Sequence, residues 1–357
     1  MNRLVRVAAF ALFFVSCTRF AVAAEPPRVT ATVESTLITA KDQIRQFAFD
    51  GNQNSYFLSD GNPTTRDSFT LTFDKPVAVK SLAVVTGSSS QAQKLDGLDA
   101  GIVEGSIDGK AFTELAKFTG GEAKAQPKGQ KFLALRIRPT ADQKHPLAIR
   151  EITLDSDPAV EVFKYPIEFT VDTADAPELK EWAEKTARVC EREYFMINEE
   201  LKSPGFKPAT QVSMTLKNDY NGVAETGGQR IKGSVKFYKA HPDDIGSMVH
   251  ETVHVVQAYR GRGNPGWLVE GVADYIRFFK YEPGKIGRIN ADRAKYDGSY
   301  RVSASFLNFL CEKYDKEIVS KLNQAMREGK YKDDLFKEYT KKPLDELNDE
   351  WKLTLKK

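Results

Sequence analysis

Cysteine and tryptophan are the scarcest residues in this sequence, with three each in 357 positions, and histidine follows with four. Imidazole chemistry therefore has few places to occur. A charge of one sign is also missing. The formal net charge is only +3, and three arginines of the first 24 residues, Arg3, Arg6 and Arg19, account for it. Without that segment 333 residues remain, with 49 basic groups against 49 acidic ones, and a nucleic-acid partner loses its electrostatic support. Beyond the leader no apolar run reaches the ~20 residues that span a bilayer, so no transmembrane segment is expected in the mature chain. Internal repeats and low-complexity tracts are absent. With 41% hydrophobic and 28% charged residues, the composition is that of a globular protein and not a disordered or collagen-like one.

The amino terminus is basic, then apolar from Val7 to Val15, then small at Ala21-Val22-Ala23-Ala24. This is the pattern of a secretory signal peptide (1–24) cleaved near Ala24, and it implies a secreted or periplasmic protein. An alternative is lipidation at Cys17, because Phe14-Val15-Ser16-Cys17 loosely resembles a lipoprotein box. In an oxidising compartment, Cys190 and Cys311 form either one disulfide or two buried thiols, and the sequence leaves both open.

At about 150 residues per domain the remainder suggests two domains. Residues 28–156 read as short strands. Ser68 to Phe73 alternates, with Phe69, Leu71 and Phe73 on one face; Val77 to Val85 follows Pro76; and Asp108-Gly109 marks a hairpin. Phe132 to Ile137 and Leu147 to Leu154 supply further strands, and the whole predicts an all-β sandwich. From about 176 the period becomes helical, beginning with Pro177 to Lys202. Two strands, Gln211 to Leu216 and Ile231 to Tyr238, interrupt it. The second domain, 160–357, is therefore expected to be α+β and mainly helical.

Two of the four histidines stand four apart in His250-Glu251-Thr252-Val253-His254. On a helix, positions i and i+4 share a face, so both imidazoles can reach one metal ion with Glu251 beside them. Chance would produce this pattern in about 0.3% of chains of this composition. The helix itself is predicted independently, by Pro242, Asp243 and Asp244 at its start, an apolar stripe from Ile245 to Val256, and Gly261 and Gly263 beyond. A second helix begins at Trp267 and carries Glu270 in an otherwise apolar segment, where a carboxylate is costly unless a cation offsets it. Asp274, one turn later, can accept the second ring N–H of a liganding histidine.

The motif His-Glu-x-x-His, fifteen residues, then Glu270 within Trp267-Leu268-Val269-Glu270-Gly271-Val272-Ala273-Asp274-Tyr275 resembles the plant basic secretory protein family, among the gluzincin metallopeptidases. The resemblance extends from about Tyr165 to Trp351 and takes in Asn221-Gly222-Val223-Ala224 and Tyr296-Asp297-Gly298-Ser299-Tyr300. It implies zinc on His250, His254 and Glu270. It also implies a peptidase in which Glu251 activates a zinc-bound water against a peptide or protein substrate. Tyr300 is the first candidate donor to the oxyanion, with Tyr296 and His241 behind it. Ile231 to Phe237 is the candidate strand for pairing with an extended substrate.

Ala48-Phe49-Asp50-Gly51-Asn52 and Ile149-Arg150-Glu151-Ile152 resemble the discoidin, or coagulation-factor 5/8 type C, fold. That resemblance implies binding of a glycan or cell-envelope surface, with Tyr56 and Phe57 as contacts and a structural calcium near Asp50 and Glu151. The chain departs from the fold's pattern in having no tryptophan before Trp182 and no cysteine pair bracketing the domain. The competing reading of the whole chain is a non-catalytic, secreted glycan- or surface-binding protein with a structural or silent zinc site.

Overall fold

The structure, a computed structural model, describes residues 29–89, 95–260, 263–298 and 300–356. The signal-peptide reading, Ala24 and Cys17 lie outside the described residues.

The amino-terminal half is an all-β sandwich of eight strands: β1 (Ala31–Ser35), β2 (Phe57–Leu58), β3 (Phe69–Thr86), β4 (Gly101–Ser106), β5 (Thr113–Lys117), β6 (Glu122–Ala125), β7 (Gln130–Pro139) and β8 (Ala148–Asp157). The two runs expected on either side of Pro76 are one continuous strand, β3, interrupted by a register shift between Thr72 and Val77. Asp74, Lys75 and Pro76 are exposed there, and Pro76 has no N–H to lose from a ladder. The first half of β3 pairs with β1 and β7. Its second half pairs with β6 and β8, so this strand passes between the two layers. Phe57, Phe69, Leu71, Val79, Phe132 and Ile149 fill the space between them.

The carboxy-terminal half is helix-rich around a four-stranded sheet. Its strands are β9 (Glu168–Asp172), β10 (Gln211–Lys217), β11 (Ala224–Gly227) and β12 (Arg230–Ser234), in the order β11-β12-β10-β9. β10 runs parallel to both β9 and β12, whereas β11 is an antiparallel edge strand. The helices are α1 (Lys180–Glu200), α2 (Val235–Ala240), α3 (Gly246–Gln257), α4 (Gly266–Tyr275), α5 (Tyr300–Lys313), α6 (Ile318–Arg327), α7 (Asp334–Thr340) and α8 (Leu344–Thr354). The expected strand from Ile231 to Tyr238 breaks at Ser234, whose hydroxyl accepts from the Phe237 N–H and caps α2. β12 is paired on both sides, so Ile231 to Phe237 cannot receive a substrate strand; β11 is the edge beside the cleft.

The start of α3 also differs from the expectation. Asp244, not Pro242, marks it, because its carboxylate accepts from the Ser247 N–H at 3.1 Å. The helix ends at Gln257, where Ala258 takes a left-handed φ of 45°, before Gly261 and Gly263 are reached. α4 crosses α5 at Gly271, where a Cβ would lie 2.8 Å from the Ser303 Cβ, so only glycine allows this approach. Cys190 and Cys311 are buried free thiols.

A polar seam joins the halves. Glu168 of β9 accepts from the Thr39 hydroxyl at 2.8 Å and from the Arg45 N–H at 2.9 Å. Glu191 of α1 accepts from Arg45, Arg188 and the Phe169 N–H at 3.1, 2.6 and 2.8 Å. Gln46 accepts from the Ile167 N–H, and Val29 bridges to Val160. No described helix is long and apolar enough to cross a membrane.

Candidate active site

α3 and α4 bring together the three side chains that the sequence singles out. His250 Nε2 lies 3.1 Å from His254 Nε2 and 3.1 Å from Glu270 Oε2, and His254 Nε2 lies 3.3 Å from the same oxygen. A tetrahedral zinc with bonds of about 2.0–2.1 Å spaces its ligands about 3.3 Å apart, which is the size of this triangle.

The hydrogen bonds behind the rings fix which nitrogens face inward. Asp274, buried, accepts from His250 Nδ1–H at 2.7 Å. Gln257 Nε2–H donates to the Val269 carbonyl at 2.9 Å, which leaves its Oε1 to accept from His254 Nδ1–H at 2.8 Å. With both Nδ1 atoms protonated, two ring lone pairs and a carboxylate oxygen face one another, a donor set that calls for a cation. Without one, a proton takes its place. Burial lowers the basicity of His250, but its hydrogen bonds to Asp274 and Glu270 outweigh this and raise its pKa to about 9. Burial raises Glu270 in turn, and the two histidines overcome it and hold that carboxyl at about 2. Among the described residues this is the one cluster of three or more His, Cys, Asp or Glu side chains able to hold a metal.

Glu251 lies beside the triangle, 7% exposed, with Oε2 accepting from the Thr226 hydroxyl of β11 at 2.6 Å. A cleft of about 1800 Å³ opens over this group, lined by β11, Tyr220, His250, Glu251, His254, Glu270 and Tyr300. Tyr300 stands at its mouth, half exposed, its ring centroid 6.1 Å from that of His250. The charge of Glu270, then burial, then Asp274 and Glu251 raise its phenol above the usual value and keep it a neutral donor. The two donors ranked behind it do not reach the cleft. Tyr296 packs between Trp267 and Phe306, and His241 lies against Phe237 at the end of α2. Thr226, Gln257 and Tyr220 were not foreseen. Asn221-Gly222-Val223-Ala224 pointed to their neighbourhood for two of them, and Gln257 stands three residues after His254 on the same helix, a spacing that makes the two side chains neighbours.

In the sandwich, Phe57 is fully buried against Phe69, 5.2 Å between centroids, so it is a core residue and not a glycan contact. Tyr56 remains partly exposed, with the Arg150 guanidinium 5.3 Å from its ring centre. Glu151 is buried, and its Oε2 has no hydrogen-bond partner. Burial, then the charge of Asp50, push its pKa up to about 7. Asp50 itself accepts from the Asn52 N–H and the Ser55 hydroxyl. Two neighbouring carboxylates with an orphaned buried oxygen fit a hard, oxygen-seeking cation such as calcium.

Comparison with solved structures finds CBM32-1 from a family 31 glycoside hydrolase of Clostridium perfringens, 18% identical, covering 35% of this chain and 92% of that one, TM-score 0.30. It also finds the family 32 CBM of C. perfringens NanJ in complex with galactose, 15% identical, covering 35% and 92%, TM-score 0.29. A third is a GH31 CBM32-2 bound to GalNAc, 14% identical, covering 36% and 98%, TM-score 0.30. No curated protein matches this chain. The BSP family model, described as peptidase of plants and bacteria, matches residues 167–351, more than half of the chain, and the chain belongs to that family.

Proposed function

We propose that the chain is an exported, zinc-dependent peptidase of gluzincin type, in which His250, His254 and Glu270 hold the metal and Glu251 is the base. The observation that carries this reading is the triangle of ligand atoms, with Glu251 beside it under an open cleft. A structural zinc site closes its fourth position with a protein ligand, whereas here the space over the three ligands is cleft. That favours catalysis over a silent site.

A bound zinc supplies a Lewis acid that polarises the scissile carbonyl and acidifies an attacking water. The chain's own residues do the rest. An extended peptide lies along β11, the edge strand, and offers its backbone to that strand's unpaired side. Glu251 takes the proton of the attacking water and hands it to the leaving amine. The Tyr300 phenol donates to the developing oxyanion from the mouth of the cleft. Asp274 and Gln257 keep both imidazoles in the tautomer that presents Nε2.

In this reading the sandwich, with a calcium at Asp50 and Glu151, holds the enzyme on a glycan or envelope surface, and Tyr56 remains as its aromatic contact. The leader of residues 1–24 directs export. The test of the catalytic reading is Glu251→Gln, which retains size and metal but cannot accept a proton. Peptide-library hydrolysis should fall about 100-fold or more with metal content unchanged. Hydrolysis at the wild-type rate would remove Glu251 from the role of base.

A further inference from the structure

We propose that Thr226 is a positioning residue through which the edge strand aims Glu251, so that substrate docking and orientation of the base share one residue. This rests on the reading of Glu251 as the base. The Thr226 hydroxyl lies 2.6 Å from Glu251 Oε2 and 3.0 Å from the Glu251 carbonyl oxygen. A hydroxyl has one proton to donate, and the shorter contact, to a charged acceptor, takes it. Oε2 is thereby tied to β11, and Oε1 is left as the oxygen that can face a water.

The strand register places the same residue at the substrate's edge. Ser234 N–H donates to the Val223 carbonyl, and the pairs continue Ala224 with Gly233, Glu225 with Lys232, Thr226 with Ile231 and Gly227 with Arg230. Hydrogen-bonded and non-hydrogen-bonded pairs alternate in an antiparallel ladder. Residues 223, 225 and 227 therefore address β12, and the N–H and C=O groups of Ala224 and Thr226 turn outward along the cleft. The Tyr220 hydroxyl already donates to the Ala224 carbonyl at 3.1 Å, so Thr226 is the position at which an extended peptide finds both an N–H and a C=O. Its side chain meanwhile points to the sheet's other neighbour, α3. A peptide that draws β11 toward itself moves the hydroxyl that orients the base.

A purely structural threonine would only pin β11 to α3, and two substitutions separate the cases. Thr226→Val keeps the shape and removes the hydroxyl, and Thr226→Ser keeps the hydroxyl. With equal metal content, Thr226→Val should lower kcat about 10-fold to 100-fold while KM moves less than about 3-fold, the scale of a misplaced catalytic group. Thr226→Ser should recover most of the loss. A second readout does not depend on turnover. In cobalt-substituted protein the visible absorption bands should change in Thr226→Val, because the released carboxylate relocates beside the ion, and should match wild type in Thr226→Ser. Wild-type kcat together with an unchanged cobalt spectrum in Thr226→Val would overturn the proposal, as would equal damage in both variants. If the wild type binds metal but cleaves no peptide, the peptidase reading fails on its own, and the cobalt spectra still decide the role of Thr226.

Discussion

Arg45, on a short 3₁₀ turn of the sandwich, reaches Glu191 of the first peptidase-domain helix at 3.1 Å, and both side chains are almost wholly buried. Arg188 reaches the same carboxylate oxygen from the helix itself. Burial tends to raise the pKa of Glu191, and the two guanidiniums oppose it. A buried charge left with no partner is destabilised by about 3–5 kcal/mol, and Glu191, which keeps Arg188 and the Phe169 N–H, loses part of that. Arg45→Ala in the full chain should therefore lower the melting temperature by several degrees. A fragment starting near Val160, which also loses Thr39 and Gln46, should melt lower still or be recovered insoluble. Equal melting temperatures for fragment and full chain would show that the seam contributes nothing to stability.

The imidazole partners should separate from the ligands in a metal titration. His250→Ala, His254→Ala and Glu270→Ala should each abolish stoichiometric zinc. Asp274→Ala and Gln257→Ala should retain it with about 10-fold to 100-fold weaker affinity, the usual effect of removing a ligand's hydrogen-bond partner. Full zinc occupancy in Glu270→Ala with none in Asp274→Ala would reverse the assignment of the two acids.

Calcium should stabilise the sandwich through Glu151. Adding millimolar calcium to chelator-treated protein should raise its melting temperature, since a ligand that binds only the folded state stabilises it. Glu151→Gln should lose that response and not lose zinc. An unchanged melting temperature in the wild type would leave the orphaned Glu151 oxygen without a cation.

Thiol counting tests both the cysteines and the leader. Cys190 is fully buried, and its thiol is pushed up to about 12, so it should resist thiol reagents in the native protein. After unfolding without reductant, a chain cleaved near Ala24 should titrate two thiols, and a chain that keeps an unmodified Cys17 three. Zero thiols in the cleaved chain would mean that Cys190 and Cys311 are joined.

The sequence by itself determined what lies within a few residues. Spacing of four on a helix places His250 and His254 on one face, and period-two alternation places Phe69, Leu71 and Phe73 in a core. The two-domain order and the change from strands to helices followed from the same local periods. The glutamate on the next helix was legible because a lone carboxylate in an apolar run needs a cation. Tertiary structure decided what pairs across distance. It decided that β11, not the segment beginning at Ile231, is the edge strand, because strand order depends on hydrogen bonds between chain segments. It placed Phe57 in the core, next in sequence to the partly exposed Tyr56, because Phe57 packs against Phe69 of another strand. Thr226 with Glu251, Gln257 with Val269, and Arg45 with Glu191 were invisible for the same reason. Thr226, Gln257 and Arg45 are ordinary in their local patterns, and only the packing of one element on another gives them these partners.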